Sequence, residues 1–209
     1  MPNEFDAFIY LGMVALISLS GVMAPGPLLA TTICKGYKDP KAGVKISVGH
    51  AIIEAPLIIA IFLGFGTILR SDIVFVVVAT VGGVVLLYMG SDLIKSRKTY
   101  ISDCPSRHSG AMGSGLIMTL ANPYWLIWWA TAGAALVAGA VTFGWIMLPL
   151  FIGVHVGTDL LWYLLVSFSV NRSKSLWAKE NHKWLFLSSG AIMLIFGIYF
   201  IYSALNIAF

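Results

Sequence analysis

The sequence predicts an all-α membrane protein of six transmembrane helices arranged as two inverted three-helix repeats. Three observations carry that prediction: a composition too apolar for a surface in water, an alternation of cationic and nearly uncharged gaps, and a set of motifs that recurs in order. Of 209 residues, 59% are hydrophobic and only 11% charged, and the mean hydropathy is +0.90. A soluble domain charges roughly a quarter of its residues, so most of this surface is solvated by lipid. At roughly 20 residues per helical span, with short loops, the chain accommodates about six.

The apolar runs place the helices near 5–33, 43–69, 73–94, 113–141, 144–170 and 184–207. The first follows Glu4 and Asp6 with no Lys or Arg before it, which is not the cationic start of a cleavable signal peptide, so it is read as a retained span. It is interrupted by Pro25-Gly26-Pro27. The second carries His50, Glu54 and Pro56, and Pro56 is expected to bend it. The third holds Gly83 and Gly90, and the sixth holds Gly190 and Gly197. Asn122-Pro123 interrupts the fourth, followed by Tyr124, Trp125, Trp128 and Trp129. The fifth carries His155 and Asp159. No independent soluble segment is visible, so residues 1–209 form one membrane domain, with repeat 1 near 5–95 and repeat 2 near 113–207.

The gaps alternate in charge. Lys35, Lys38, Lys41 and Lys45 flank the first, Lys95, Arg97, Lys98 and Arg107 the third, and Arg172, Lys174, Lys179 and Lys183 the fifth. Only Arg70 of the 13 Lys and Arg lies on the other side. Cytoplasmic loops hold the excess of cations, which predicts a multi-pass protein of the cell (inner or plasma) membrane with both termini outside.

Each half runs in the same order: a proline break, a His followed four residues later by a carboxylate, then two glycines seven apart. Three spans per half require the second half to enter the membrane upside down, the arrangement of many secondary transporters, with the substrate near the midplane. His50, Glu54, His155 and Asp159 are the ionisable side chains expected deep in the spans. Intramembrane ionisable residues are costly and mark functional sites by default, and the i,i+4 spacing stacks each pair on one helical face. Glu54 and Asp159 lie eleven residues from the cation-rich ends of their helices, about 16 Å of helix and half a bilayer core. The plainer alternative is two private hydrogen bonds that hold helices together.

Broken backbone at membrane depth lines a wet cavity or is buried in protein. Pro25, Gly26 and Pro27, with Asn122 and Pro123, therefore become candidates to bind a zwitterion through half-helix ends; the alternative is a structural kink. The glycine seams are expected to pack helices closely. Tyr124, Trp125, Trp128 and Trp129 can wall a pocket, but belt and packing roles are the expectation for them, as for Tyr88, Trp162 and Tyr163. Cys34 and Cys104 do not make a disulfide framework and are read as free thiols.

The Pro25-Gly26-Pro27 break with its basic turn, Gly49 and Glu54, the run Gly83 to Gly90 with Leu87-Tyr88-Met89, and Asn122-Pro123 together resemble the LysE/RhtB-type translocators, the lysine/threonine exporter family. The resemblance covers nearly the whole chain. It implies secondary-active export of amino acids or related small metabolites, driven by a proton or ion gradient, with no nucleotide hydrolysis. Tyr124 departs from it, since the family usually has Lys after the Asn-Pro, and His50 and His155 are not features of its amino-acid exporters. The wider superfamily includes divalent-metal exporters, and His50, Glu54, His155 and Asp159 are acceptable transition-metal ligands. Metal export is therefore the alternative, and a structural membrane subunit a lesser one.

Other classes lack their residues. There is no His-Glu-x-x-His for a membrane metalloprotease and no Gly-x-x-x-x-Gly-Lys loop, so neither an enzyme nor a resident cofactor is expected. The cations do not form a patch for nucleic acid. The expected partners are the lipid bilayer, a small-molecule substrate, and a proton or cation as coupling ion; self-association is left open.

Overall fold

The computed structural model describes residues 4–24, 26–66, 71–95, 110–120, 122–177 and 182–208. Pro25, Leu69, Arg70, Arg97, Lys98, Cys104, Arg107 and Lys179 lie outside them. Ten helices run through the described residues: α1 (Glu4–Val22), α2 (Pro27–Lys38), α3 (Ala42–Ala60), α4 (Asp72–Lys95), α5 (Ala111–Leu120), α6 (Pro123–Trp128), α7 (Ala134–Val141), α8 (Met147–Arg172), α9 (Lys174–Trp177) and α10 (His182–Ala208). Six stretches are long and apolar enough to cross a membrane, and α5 is a shorter apolar helix beside them. Large apolar side chains such as Phe8, Leu16, Ile73, Leu161 and Tyr202 stay exposed around the outside. Lipid is their solvent.

Both predicted interruptions are real breaks. The first apolar run divides into α1 and α2, because Pro27 cannot donate a backbone hydrogen bond and instead opens α2 at its first position. Gly26 caps α2 in an extended conformation without a side-chain bond. The fourth run divides after α5, where Asn122 is extended and Pro123 opens α6. Two π-helical turns extend the neighbouring spans. Trp129–Gly133 joins α6 to α7, and Ile61–Phe65 follows α3, which carries Pro56 inside it. Gly64, at φ 99°, kinks that second turn in a conformation only glycine adopts freely.

At the end of α2, Asp39 receives the Lys41 amide at 2.9 Å and the Lys45 ammonium at 2.7 Å. Those hydrogen bonds, Lys45 first, hold its carboxyl below the ordinary range. Cys34, on the same helix, is disulfide-bonded rather than a free thiol. Pairing depends on Cα atoms meeting at about 6 Å in the fold, and sequence spacing does not reveal that.

Helices α3 and α8 form the centre and pack on each other; α5 packs on α3, α1 on α8, and α2 touches α3, α5 and α8. The approach is close enough to forbid side chains. A Cβ on Gly115 would fall on the Ile46 carbonyl, one on Gly49 on the Met112 carbonyl, and one on Gly43 on the Tyr163 carbonyl. The pairs 46/115 and 50/119, the second joined by the His50–Thr119 hydrogen bond, keep a constant difference, so α3 and α5 run parallel. Toward the other end, Tyr10 donates its hydroxyl to the Leu136 carbonyl and packs with Val14, Trp129, Met147 and Phe151 in an apolar plug.

Helices α4 and α10 make the most extensive helix contact in the molecule and touch the remainder chiefly through α4 against α6. The expected glycine seams meet here. A Cβ on Gly83 would lie 2.9 Å from the Gly197 carbonyl, and one on Gly90 would lie 2.8 Å from the Gly190 carbonyl, with the reciprocal distances equal.

Candidate functional site

The i,i+4 pairs on α3 and α8 point at each other. His50, Glu54, His155 and Asp159 are all at most 5% exposed. Neither histidine keeps to its own carboxylate. His50 Nε2 lies 3.1 Å from Glu54 Oε1 and 3.6 Å from Asp159 Oδ2. His155 Nε2 lies 3.1 Å from Glu54 Oε2 and 3.5 Å from Asp159 Oδ2. Two private pairs are thus replaced by one four-membered cluster.

The outer ring nitrogens are held by hydroxyls from the interrupted helices. His50 Nδ1 is 2.6 Å from Thr119 Oγ1 on α5, and His155 Nδ1 is 2.7 Å from Ser18 Oγ on α1. Thr119 donates to the Gly115 carbonyl at 2.7 Å, so its oxygen faces His50 as an acceptor. That places the ring hydrogen on Nδ1 and turns the His50 Nε2 toward two carboxylates. A bare lone pair there would meet only negative oxygens, so a proton belongs between Nε2 and the carboxyl groups.

Glu54 has a second set of partners. Trp125 and Trp129 donate their indole N–H groups to its Oε1 at 2.6 and 2.9 Å. The π-helical turn begins at Trp129 and fixes the direction of its ring; single π turns often mark functional sites. Trp128 stacks on His155, with centroids 5.7 Å apart and planes at 28°. Tyr163 meets His50 edge-on at 6.2 Å. Buried carboxylates and imidazoles persist only with such partners.

Ser18, the four ionisable residues, Trp125, Trp128 and Tyr163 line a cavity of about 250 Å³. Of the residues singled out from sequence, Gly26, His50, Glu54, Asn122, His155 and Asp159 face it. Pro27 is buried behind it at the start of α2, Pro123 opens α6, and Pro25 lies outside the described residues. The two breaks meet at the cavity: a Cβ on Gly26 would lie 3.9 Å from Asn122 Nδ2. Asn122 Oδ1 is buried and has no hydrogen-bond partner among the described residues. For a cation, His50, Glu54 and Asp159 each present a ligand atom within 4.8 Å of the others, three of the four residues expected for a metal.

Sequence reasoning missed the roles of Ser18, Thr119, Trp125, Trp128, Trp129 and Tyr163 and the wall residues Leu86 and Phe196. The aromatic run after Asn122-Pro123 was a visible signal, though belt and packing roles were expected of it. Tyr88, by contrast, is exposed.

Comparison with known proteins adds a family. The family model described as LysE type translocator matches residues 19–204. The chain is 25% identical over 211 residues to the "Putative amino acid efflux protein YcgF" of Bacillus subtilis (strain 168), covering 98% of each chain. No solved structure matches it.

Proposed function

The chain belongs to the LysE-type translocator family, and from that premise we propose that it exports amino acids or related small metabolites, coupled to a proton or ion gradient. One observation supports this reading above the others. Both His-carboxylate pairs and both broken helices border one cavity.

The chemistry suits a zwitterion. The α2 helix begins at Pro27 and its first intrahelical bond of this turn runs from Ala30 N to Gly26 O, so the amides of Leu28 and Leu29 precede the ladder and attract a carboxylate. Glu54, Asp159 and the open Asn122 Oδ1 receive an ammonium. The proton shared between His50 Nε2 and the carboxyl groups supplies a site for the coupling ion, released or taken up as the substrate's own charge arrives. The name of the Bacillus subtilis relative agrees with an amino-acid cargo.

A divalent cation is the second reading, favoured by the compact set His50, Glu54 and Asp159. Against it, the Glu54 Oε1 already accepts two indole hydrogen bonds, and a metal there would compete with both. Counterflow from proteoliposomes loaded with an amino-acid panel, and separately with divalent metals, tests the choice. Amino-acid exchange without metal uptake is the expected result. Micromolar metal binding lost in both His50→Ala and His155→Ala, with no amino-acid exchange, would overturn it.

We place the cation-rich ends of the spans at the cytoplasm of a cell membrane and both termini outside, and we read the two halves as inverted repeats. The constant-sum pairing of α4 with α10 and the crossed hydroxyls, Ser18 on His155 and Thr119 on His50, support a pseudo-twofold relation.

A further inference from the structure

We propose that the cavity selects a neutral α-amino acid with one bulky apolar side chain, of the leucine or phenylalanine kind; this rests on the export reading and narrows its substrate.

The charge of the lining sets the first limit. Two carboxylates and two imidazoles border the cavity, and no Lys or Arg does so among the described residues. A substrate with a second carboxylate would bring it against Glu54 and Asp159 with no fixed cation to compensate. Dicarboxylic amino acids are excluded by that repulsion.

The distribution of polar groups sets the second. The ionisable ones come from α3 and α8. Helices α4 and α10 contribute the apolar Leu86 and Phe196, and Val22 and Leu28 flank the first break. Leu86 is 2% exposed, and Phe196 is braced by Tyr124 and Phe200 at centroid distances of 6.1 and 5.9 Å. A lysine held by its α-groups near Glu54 and Asp159 would carry its second ammonium to Leu86 and Phe196, where the neutral Tyr124 phenol lines the cavity but no carboxylate does. A threonine has too little apolar surface to gain much burial there. An aliphatic or aromatic side chain gains burial instead.

Size sets the third. At about 250 Å³ the space falls below the ~300–1,000 Å³ of pockets for drug-sized ligands, which suits one amino acid rather than a peptide.

The test is counterflow in proteoliposomes of the full chain with labelled leucine, phenylalanine, alanine, threonine, lysine and glutamate. Leucine or phenylalanine should exchange fastest. Alanine should fall at least about tenfold behind, the discrimination that missing methylenes give in an apolar pocket, and lysine and glutamate should not exchange. Lysine, threonine or glutamate moving as fast as leucine overturns the selectivity while leaving amino-acid export standing. Exchange of none of the panel overturns both. Phe196→Ala, at a part-exposed position, should reduce the preference for leucine over alanine by about tenfold. An unchanged preference would remove Phe196 from contact with the substrate's side chain and overturn that assignment.

Discussion

Glu54 is the most heavily partnered side chain of the cluster, with two indoles on one oxygen and histidines against both. Glu54→Gln keeps the shape and removes the charge, so gradient-driven export should be abolished while the protein still inserts; normal export by both Glu54→Gln and Asp159→Asn across the pH range would reduce the carboxylates to a structural role. Trp129→Phe keeps most of the apolar volume and deletes one hydrogen bond to a charged acceptor, worth roughly 1.5–3 kcal/mol. Export should fall about 10- to 100-fold if that bond orders Glu54 for substrate. Glycine substitutions separate packing from function. Gly115→Ala drives a Cβ onto the Ile46 carbonyl, and backbone cannot yield as a side chain tip can. It should cost ~3 kcal/mol or more and lower the melting temperature in detergent, whereas Gly157→Ala, with nothing within 4 Å, should not. At this scale the sequence was legible where partners share a helix: the i,i+4 spacing exposed all four ionisable residues. Ser18 and Thr119 were not, because each is an ordinary hydroxyl whose histidine lies 137 or 69 residues away.

Elements were legible wherever a residue changes what the backbone can do. Pro27 and Pro123 start helices in the structure as their missing N–H groups require. The recurrence of the breaks is less regular than their order in the chain. Nineteen residues of α1 precede the first and ten of α5 the second, so the breaks are not at equal distances from the start of their runs; they meet instead at one depth. The π-helical turns left no sequence signal, since an extra residue in a helical turn depends on what the ring of Trp129 must reach. The glycine seams were visible as spacing, but the partners emerged only in the fold, where the antiparallel approach sets Gly83 against Gly197 rather than Gly190. Because α4 and α10 hold each other and touch the rest chiefly through α6, the seam decides whether they act as one body. Gly90→Leu places a branched side chain 2.8 Å from the Gly190 carbonyl and 3.1 Å from Met193 Cβ and should lower the melting temperature by several degrees. Gly12→Leu, where nothing lies within 4 Å, is the matched control and should leave it unchanged.

The whole molecule has a direction that packing alone does not set. Lys35, Lys38, Lys41, Lys45, Lys95, Arg172, Lys174 and Lys183 of the described residues lie at or near helix ends that a six-span path brings to one face, whereas the first turn of α1 carries Glu4 and Asp6. Carrying a Lys or Arg through the bilayer centre costs about 2.5–3.5 kcal/mol on the insertion scale, so we expect the cation-rich end to stay in the cytoplasm. The six candidate spans and the antiparallel α4 and α10 agree with a count that returns both termini to the opposite face. We therefore expect that, in a Cys34→Ser, Cys104→Ser background, Phe5→Cys and Trp145→Cys are labelled in intact cells by a membrane-impermeant maleimide, both being about 70% exposed. Lys38→Cys and Lys174→Cys should be labelled only after the membrane is opened. The reverse pattern would invert the orientation. Labelling of Phe5→Cys and Lys38→Cys from the same side would contradict a crossing by α1 and α2 together, and the six-span count would fall with it.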